Sequence, residues 1–331
     1  MIGKAEASVA ARGILDLIED DLREVEKAIG VEFVAPVEAI TTIAQYLRAG
    51  GGKRLRPMLV LLASKLAGGG GASAVGLAAV VEMLHTATLV HDDVIDAQTR
   101  RGQPSTNIKW GNHTSVLAGD WLYMQAFQIV VRERNFHILE MLTSVTQAMV
   151  EGELLQLQRI GSIDVSEADY MDLVDRKTAG LFATCARVGA AVAGADSSTE
   201  EKLGEYAWNL GMAFQLIDDV LDFTARETVL GKPVGNDLWE GKVTLPLIYA
   251  LEKADGAERR LVETVLADRN YSRVPFATIF NLIERHGGVE RVRQRASGFT
   301  ARAGSLISAF PESPCQRALA TLTALVTERD H

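Results

Sequence analysis

The chain has 331 residues, of which 47% are hydrophobic and 23% charged, so it can bury a large core and lacks the composition of a disordered or collagen-like protein. Its formal net charge is −9, which disfavours nucleic acid as a partner, because phosphate backbones bind broad basic surfaces. An anionic ligand of this protein must therefore be held by a local basic cluster.

Apolar residues recur at three- and four-residue spacing along nearly the whole chain, which is the periodicity of helices. Alternating strand patterns and Pro/Ser-rich linkers are both missing from the sequence. We therefore predict an all-α protein with a single domain over residues 1–331. The segments 74–95, 180–193 and 208–223 are apolar nearly all round, so we expect them to be the central helices.

Two cysteines, Cys185 and Cys315, lack the spacing of a metal site, and we expect them to be buried free thiols. The first residues show no signal-peptide pattern, and the apolar stretch 58–67 is broken by Lys65 well before it reaches the length of a membrane span. These features favour a cytoplasmic protein without a membrane span.

The first segment with a chemical signature is the basic turn GGKRLRP at residues 51–57. Glycine amides, a helix start and the cations of Lys53 and Arg56 suit a diphosphate group. Taken alone, the segment is by default interpreted as a solvated basic turn.

Three aspartates follow at the end of the first central helix. Asp92 and Asp96 are four residues apart and stack on one helix face, with Asp93 alongside. The helix dipole disfavours negative charge at this end, and the neighbouring residues are too apolar for a face that is solvated all round. Magnesium is usually held by one or two carboxylates together with substrate phosphates, so the cluster indicates both Mg²⁺ and a diphosphate. A charged surface turn is the alternative for this cluster alone.

A second cluster, FQLIDDVLDF at residues 214–223, repeats the arrangement with Asp218, Asp219 and Asp222. Two such clusters in apolar helices can face each other across a bundle and hold one diphosphate from both sides through Mg²⁺. The repetition favours the functional interpretation of both clusters.

These residues resemble the trans-isoprenyl diphosphate synthase family, and within it the long-chain polyprenyl branch that includes octaprenyl and decaprenyl diphosphate synthases. The resemblance runs from about residue 40 to about residue 250, on the motifs GGKRLRP, HTATLVHDDVIDAQTRRGQPS, GDWLYMQAFQ, EGELLQLQR, RKTAGLF, FQLIDDVLDF and LGKPVGNDLWEGKVTLPLI. It implies a helical bundle of the isoprenoid synthase type with a central hydrophobic cavity. It also implies a homodimer.

The resemblance further implies a magnesium-dependent, consecutive head-to-tail 1'-4 condensation of isopentenyl diphosphate onto an allylic diphosphate, such as farnesyl or geranylgeranyl diphosphate. Its catalytic and allylic-diphosphate residues would be Asp92, Asp96, Asp218, Lys177, Lys242 and Arg100. Supporting metal ligands would be Asp93, Asp219 and Asp222, while Thr178, Gln215 and Lys232 would line the allylic side. Isopentenyl diphosphate would bind Lys53, Arg56, His85 and Arg101. The sequence departs from the family at Asn236, where relatives often have an acid.

The resemblance also bears on the product. In this family, bulky side chains one turn before the first aspartates stop the growing chain, and here the small Ala87 and Thr88 occupy those positions. A helical turn rises about 5.4 Å, close to the length of one isoprene unit, so we expect a product of about eight to ten units. Met124 and Phe127 are the expected tunnel floor. We expect the product to serve as a quinone side chain and its greasy tail to bring the protein into peripheral contact with a membrane.

Three other functions fit the sequence less well. A terpene cyclase would not need the second diphosphate site around Lys53, Arg56 and Arg101. A di-iron bundle needs paired Glu-x-x-His motifs, and only Glu82 to His85 fits. A regulatory subunit of a heteromeric synthase should show a damaged aspartate cluster, whereas both clusters are intact.

Overall fold

The computed structural model describes the backbone of residues 4–49, 52–96, 99–100, 103–224 and 234–327, and the side chains of residues 12–49, 52–95, 104–224 and 234–326. Its elements are helices apart from one hairpin of two-residue strands, in which Thr99 pairs with Pro104 and Arg100 with Gln103. The all-α prediction is confirmed. One contiguous hydrophobic core extends from Ile14 near the start to Val326 near the end of the described chain.

The first part of the chain forms helices that place both the basic turn and the first aspartates. They are α1 (Lys4–Glu32), α2 (Glu38–Ala49), α3 (Leu55–Leu66), α4 (Ala72–Asp96), the strands β1 (Thr99–Arg100) and β2 (Gln103–Pro104), α5 (Thr106–Trp110), α6 (Asn112–Arg132) and α7 (Phe136–Arg159). The basic turn therefore lies between α2 and α3, and the first aspartates end α4.

The second part carries the other aspartates on a central helix. It comprises α8 (Glu167–Val174), a π-helical turn (Asp175–Ala179), α9 (Gly180–Val192), α10 (Ser197–Thr224), α11 (Asn236–Trp239), α12 (Leu245–Leu251), α13 (Gly256–Asp268), α14 (Phe276–Arg285), α15 (Gly288–Ser308) and α16 (Pro314–Thr327). Helix α9 packs against α3, α4 and α10, so it lies between the helices that carry the two aspartate clusters.

Small residues let these central helices approach closely. A Cβ atom on Gly189 of α9 would lie 2.3 Å from the carbonyl oxygen of Val60 on α3. A Cβ atom on Gly211 of α10 would lie 2.8 Å from the Cα of Ala179. Any larger residue at either position would push the helices apart, so glycine is what permits the tight packing around α9.

Helix α4 is long and apolar enough to cross a membrane, but 61% of its most apolar window is buried inside the bundle. This is the pattern of a core helix, in agreement with its predicted central position.

The two cysteines, which were expected to be buried, differ in their exposure. Cys185 is buried among the central helices, whereas Cys315 is half-buried because it lies in the first turn of the outer helix α16.

Candidate active site

Asp219 of the second cluster is the centre of a buried hydrogen-bond chain. It is 4% exposed, and it accepts hydrogen bonds from the Tyr170 hydroxyl at 2.6 Å and from Gln215 Nε2 at 2.8 Å. Thr178 in turn donates its hydroxyl to Gln215 Oε1 at 3.0 Å. Three elements, α8, the π-helical turn and α10, are thus joined through one carboxylate.

Other carboxylates lie close enough to Asp219 to affect its pKa. Burial raises the pKa of Asp219 to about 8, and the neighbouring carboxylates of Asp237 and Asp218 act in the same direction. The hydrogen bonds from Tyr170 and Gln215 only partly offset this effect. A cation bound here would relieve the repulsion, since it favours the ionised form of each carboxylate.

The π-helical turn positions Lys177. The turn is closed by the backbone N–H of Gly180, which donates to the Asp175 carbonyl, and Trp208 Nε1 donates to the Asp175 carboxylate at 2.6 Å. Lys177 Nζ lies 2.6 Å from Glu153 Oε2 and 3.2 Å from Gln156 Oε1, both on α7. The turn therefore projects its lysine across the space between α7 and α10.

A cavity of about 200 Å³ lies beside this lysine. Its lining includes four residues that the resemblance assigns to the allylic diphosphate, namely Lys177, Thr178, Gln215 and Lys242, and Asp219, which it assigns to the metal. Lys242 Nζ is held at 2.6 Å by Glu240 Oε2. Two lysines, two amides or hydroxyls and a carboxylate thus face one opening, which is a composition suited to a polar, anionic group with an associated cation.

Asp222 ties the end of α10 to the following turn. It is 1% exposed, its Oδ2 accepts the backbone N–H of Asp237 at 3.2 Å, and its carbonyl accepts that of Gly235 at 2.8 Å. Asn236, where the family often has an acid, is 3% exposed and donates Nδ2 to Glu240 Oε1 at 2.6 Å. The amide keeps this buried position uncharged.

The first cluster lies on the other side of α9. Asp93 is 4% exposed, and its Oδ2 accepts both the backbone N–H and the hydroxyl of Thr106, at 2.9 and 3.1 Å. Asp93 therefore anchors α5 against the end of α4. Asp92 is half-buried, and its charge contributes to raising the pKa of Tyr123, after burial as the main cause. The two aspartates thus point to different neighbours.

The basic turn reaches toward the second cluster through Arg56. The Arg56 guanidinium lies 5.3 Å from the Phe182 ring centroid. Burial lowers the pKa of Arg56, whereas the carboxylates of Glu82 and Asp218 raise it. Lys53 is exposed, and His85 is half-buried on α4. Arg56 and Asp218 are therefore within electrostatic reach of each other.

Four predicted residues lie outside the described side chains. Asp96 ends α4 and Arg100 is in β1, but only their backbones are described, and neither Arg101 nor Lys232 is described at all. Their roles remain predictions.

The expected tunnel residues differ in how far the structure buries them. Ala87 is fully buried, and Phe127 packs against the core. Thr88 is half-buried, and its hydroxyl donates a hydrogen bond to the His85 carbonyl at 2.7 Å. Met124, however, is 58% exposed, because it lies on the outer face of α6. The structure of the single chain therefore does not support Met124 as part of a closed floor.

The donor set fits a hard divalent cation. Every candidate ligand is an oxygen of an aspartate, and the charges of Asp237 and Asp218 raise the pKa of Asp219, an effect that a bound cation would oppose. Among the described side chains, no three His, Cys, Asp or Glu groups converge closely enough to hold an ion by themselves. An ion bound here would take further ligands from water or from substrate oxygens.

Comparisons with known proteins identify the family of the chain. The sequence profile of the polyprenyl synthetase family matches residues 37–283, which is most of the chain, so the protein belongs to that family of prenyltransferases. Octaprenyl diphosphate synthase of Escherichia coli K12 is 37% identical over 96% of this chain and 98% of its own length.

Two crystal structures show the same fold. A polyprenyl synthase from Caulobacter crescentus, solved with calcium and isoprenyl diphosphate, superimposes with a TM-score of 0.92 at 36% identity, over 97% of this chain and 98% of that one. A decaprenyl diphosphate synthase from Rhodobacter capsulatus gives 0.92 at 35% identity, over 97% and 99%. The predicted isoprenoid synthase type of bundle is thereby confirmed.

Several site residues were missed by the sequence interpretation. Tyr170 and Asp237 line the cavity beside Asp219, and Glu153 and Glu240 hold the two lysines. The only sequence signal for Glu153 and Glu240 was their place within recognised motifs. Tyr170 had no such signal, because nothing in the local pattern shows that its hydroxyl reaches a carboxylate 49 positions away.

Proposed function

We propose that this protein is a long-chain trans-polyprenyl diphosphate synthase, which adds isopentenyl diphosphate repeatedly to an allylic diphosphate. The observation that carries the proposal is the convergence of Lys177, Lys242 and Asp219 on one cavity. Arg56 of the basic turn is within electrostatic reach of Asp218, the neighbour of Asp219 in the chain. Full-length similarity to octaprenyl and decaprenyl diphosphate synthases supports the long-chain class.

In this proposal the chain's own groups divide the work. Lys177 and Lys242 exchange their present partners, Glu153 and Glu240, for oxygens of the allylic diphosphate, and stabilise it as it leaves with negative charge. Lys53, Arg56, His85 and Arg101 hold isopentenyl diphosphate with its double bond toward the allylic carbon. The buried apolar surface around α9 excludes water from the cation formed between them.

We assign magnesium as the metal, bound by Asp92 and Asp96 from one side and Asp218 from the other, with Asp93, Asp219 and Asp222 supporting it. The ion would neutralise the departing diphosphate as a Lewis acid. Arg100 would complete the allylic diphosphate contacts, and Thr178, Gln215 and Lys232 would line its side.

The small, buried Ala87 and the neighbouring Thr88 favour a product of about eight to ten isoprene units, since a helical turn rises about 5.4 Å, close to one unit. A product of that length suits the side chain of a quinone. Its tail would bring the enzyme into peripheral contact with a membrane, while the protein itself works in the cytoplasm.

We also propose a homodimer that buries the outer faces of α6 and α7. Leu117, Met124 and Val131 follow one another at seven-residue spacing on α6 and are 65%, 58% and 60% exposed. Val150, Leu154 and Leu157 form a similar exposed stripe on α7. An apolar face of this extent is typical of a surface that pairs with another chain.

The proposed reaction is tested by incubating the purified protein with labelled isopentenyl diphosphate, farnesyl or geranylgeranyl diphosphate, and magnesium. We expect a metal-dependent ladder of polyprenyl diphosphates that ends at a long product, measured by chromatography of the extracted lipids. No incorporation with any allylic starter would favour a regulatory subunit instead. Release of a cyclic hydrocarbon from the allylic diphosphate alone would favour a cyclase.

A further inference from the structure

An ion-pair network joins the amino-terminal helix to the basic turn. Arg54 Nε donates to Glu26 Oε1 of α1 at 2.5 Å, and Arg54 Nη1 donates to Glu82 Oε1 of α4 at 2.7 Å. Glu26 also accepts a hydrogen bond from Arg48 Nε of α2 at 3.2 Å. Arg54 therefore forms ion pairs with carboxylates on two helices, α1 and α4, that are distant in sequence.

The network is sheltered from solvent. The side chains of Arg54 and Glu82 are 20% and 10% exposed. Burial raises the pKa of Glu26, but the hydrogen bonds and charges of Arg54 and Arg48 lower it further than burial raises it, so the net shift is downward. Partly buried, charge-assisted pairs hold their geometry more firmly than surface pairs do, because each charge depends on the other for solvation.

The backbone of Arg54 is equally constrained. Its φ of 52° and ψ of 32° lie in the left-handed region, which is unfavourable for a residue with a Cβ atom. The side chain folds back over Gly52, where an added Cβ would lie only 2.9 Å from Arg54 Nη1. Such a conformation persists where surrounding contacts impose it, and here Glu26 and Glu82 supply those contacts.

The neighbours of Arg54 are the residues assigned to isopentenyl diphosphate. Lys53 precedes it, and Arg56 follows two positions later in the first turn of α3. We infer that Glu26, Glu82 and Arg54 are positioning residues, which set the directions of Lys53 and Arg56 and so make α1 a part of the isopentenyl diphosphate site. Arg54 itself is turned toward carboxylates rather than toward the diphosphate. This inference rests on the proposed function.

The test replaces Glu26 by glutamine, which keeps the shape and removes the charge. We expect Glu26→Gln to raise the KM and the calorimetric Kd for isopentenyl diphosphate about tenfold, because small displacements of binding groups have large effects. The kcat at saturation and the KM for farnesyl diphosphate should stay within about twofold, since none of the side chains described in α1, residues 12–32, lines the cavity at Lys177.

Glu24→Gln is the matched control. Glu24 lies on the same helix and pairs with Lys27 at 2.5 Å, but both side chains are more than half exposed. This variant should leave both substrate affinities unchanged. Melting temperatures of all variants, recorded by circular dichroism, separate a loss of folding from a loss of positioning.

Arg54→Lys is the second variant, because a single ammonium group cannot span Glu26 and Glu82 as the guanidinium does. It should weaken isopentenyl diphosphate binding in parallel with Glu26→Gln. If Arg54 instead bound the diphosphate directly, Glu26→Gln would free the guanidinium and strengthen binding, which overturns the inference. Unchanged affinity in both variants, or equal losses for both substrates, overturns it as well. An inactive wild-type protein would count against the proposed reaction, while the calorimetric comparison still tests the positioning role.

Discussion

At the scale of single residues, the environment of Asp219 makes metal binding depend on pH. Its pKa is raised to about 8, so the carboxylate keeps its proton below that value and must release it to bind a cation. The concentration of magnesium needed for half-maximal activity should therefore fall as the pH rises toward 8. The measurement is a magnesium titration of the initial rate at pH 6, 7 and 8.

Tyr170→Phe should strengthen this dependence. The Tyr170 hydroxyl lowers the pKa of Asp219, so its removal raises that pKa further. One pKa unit corresponds to tenfold in a protonation equilibrium, so we expect the half-saturating magnesium concentration at pH 7 to rise about tenfold, with a smaller effect at pH 9. Tyr206→Phe is the matched control, because this buried tyrosine donates to the Leu319 carbonyl at 2.8 Å, outside the cavity. An equal magnesium requirement in both variants would contradict the role of Tyr170.

Ala87→Phe should shorten the product by several isoprene units. Ala87 is fully buried one turn before Asp92, and a phenyl ring there would block the proposed product path along α4. Overpacking of this kind costs about 1–3 kcal/mol, which a stable bundle can absorb. Product length is measured by chromatography, with Met124→Ala as control, since that exposed side chain should not alter it. An unchanged ladder in Ala87→Phe would remove Ala87 from the tunnel wall.

Sequence motifs predicted five of the residues that line the cavity, but they missed Tyr170 and Asp237 and did not predict how the side chains are held. Lys177, Gln215 and Lys242, which the resemblance assigns to one allylic diphosphate, line the same cavity. Their ion-pair and hydrogen-bond partners come from elements distant in the chain, and such partners depend on tertiary packing rather than on local pattern. The exposure of Met124 in the single chain was not predicted either, because adjacency to a core position does not show which face of α6 is covered.

At the scale of elements, periodicity predicted the central helices well. The predicted segments 74–95, 180–193 and 208–223 fall within α4, within a residue of α9, and within α10. The π-helical turn at Asp175–Ala179 was not predicted, because one inserted residue changes the hydrogen-bond register without altering the apolar pattern. The hairpin of β1 and β2 was missed because two-residue strands are too short to show an alternation.

The apolar stripes on α6 and α7 give a prediction about assembly. Leu117→Glu combined with Leu154→Glu should convert the proposed dimer into a monomer, because two charges would be buried without partners in the shared face. Sedimentation velocity measures the change. Leu15→Glu, at a position 42% exposed on α1, is the control and should leave the assembly intact. A double variant that still sediments as a dimer would place the interface on another surface.

At the scale of the whole molecule, the two aspartate clusters belong to helices that both pack on α9. Asp92 lies at the end of α4 and Asp218 near the end of α10, and the proposed metal site joins the two through a bridging ligand. A cation with a diphosphate is such a bridge, and its binding should stabilise the arrangement of the three helices as a unit.

Magnesium and inorganic diphosphate should therefore stabilise the protein cooperatively. A ligand at about 100 times its Kd contributes about 2.7 kcal/mol, which corresponds to a rise of about 4 °C in Tm for a chain of this size. We expect this rise only when magnesium and diphosphate are both present, and smaller shifts with either alone. The diphosphate supplies oxygen ligands to the ion, and the ion supplies positive charge to the diphosphate. Asp92→Asn and Asp218→Asn should each abolish the cooperative part, and the double variant should lose no more than one single variant, since both act on one bridge. Additive losses in the double variant would instead assign the two clusters to separate ions that do not share a diphosphate.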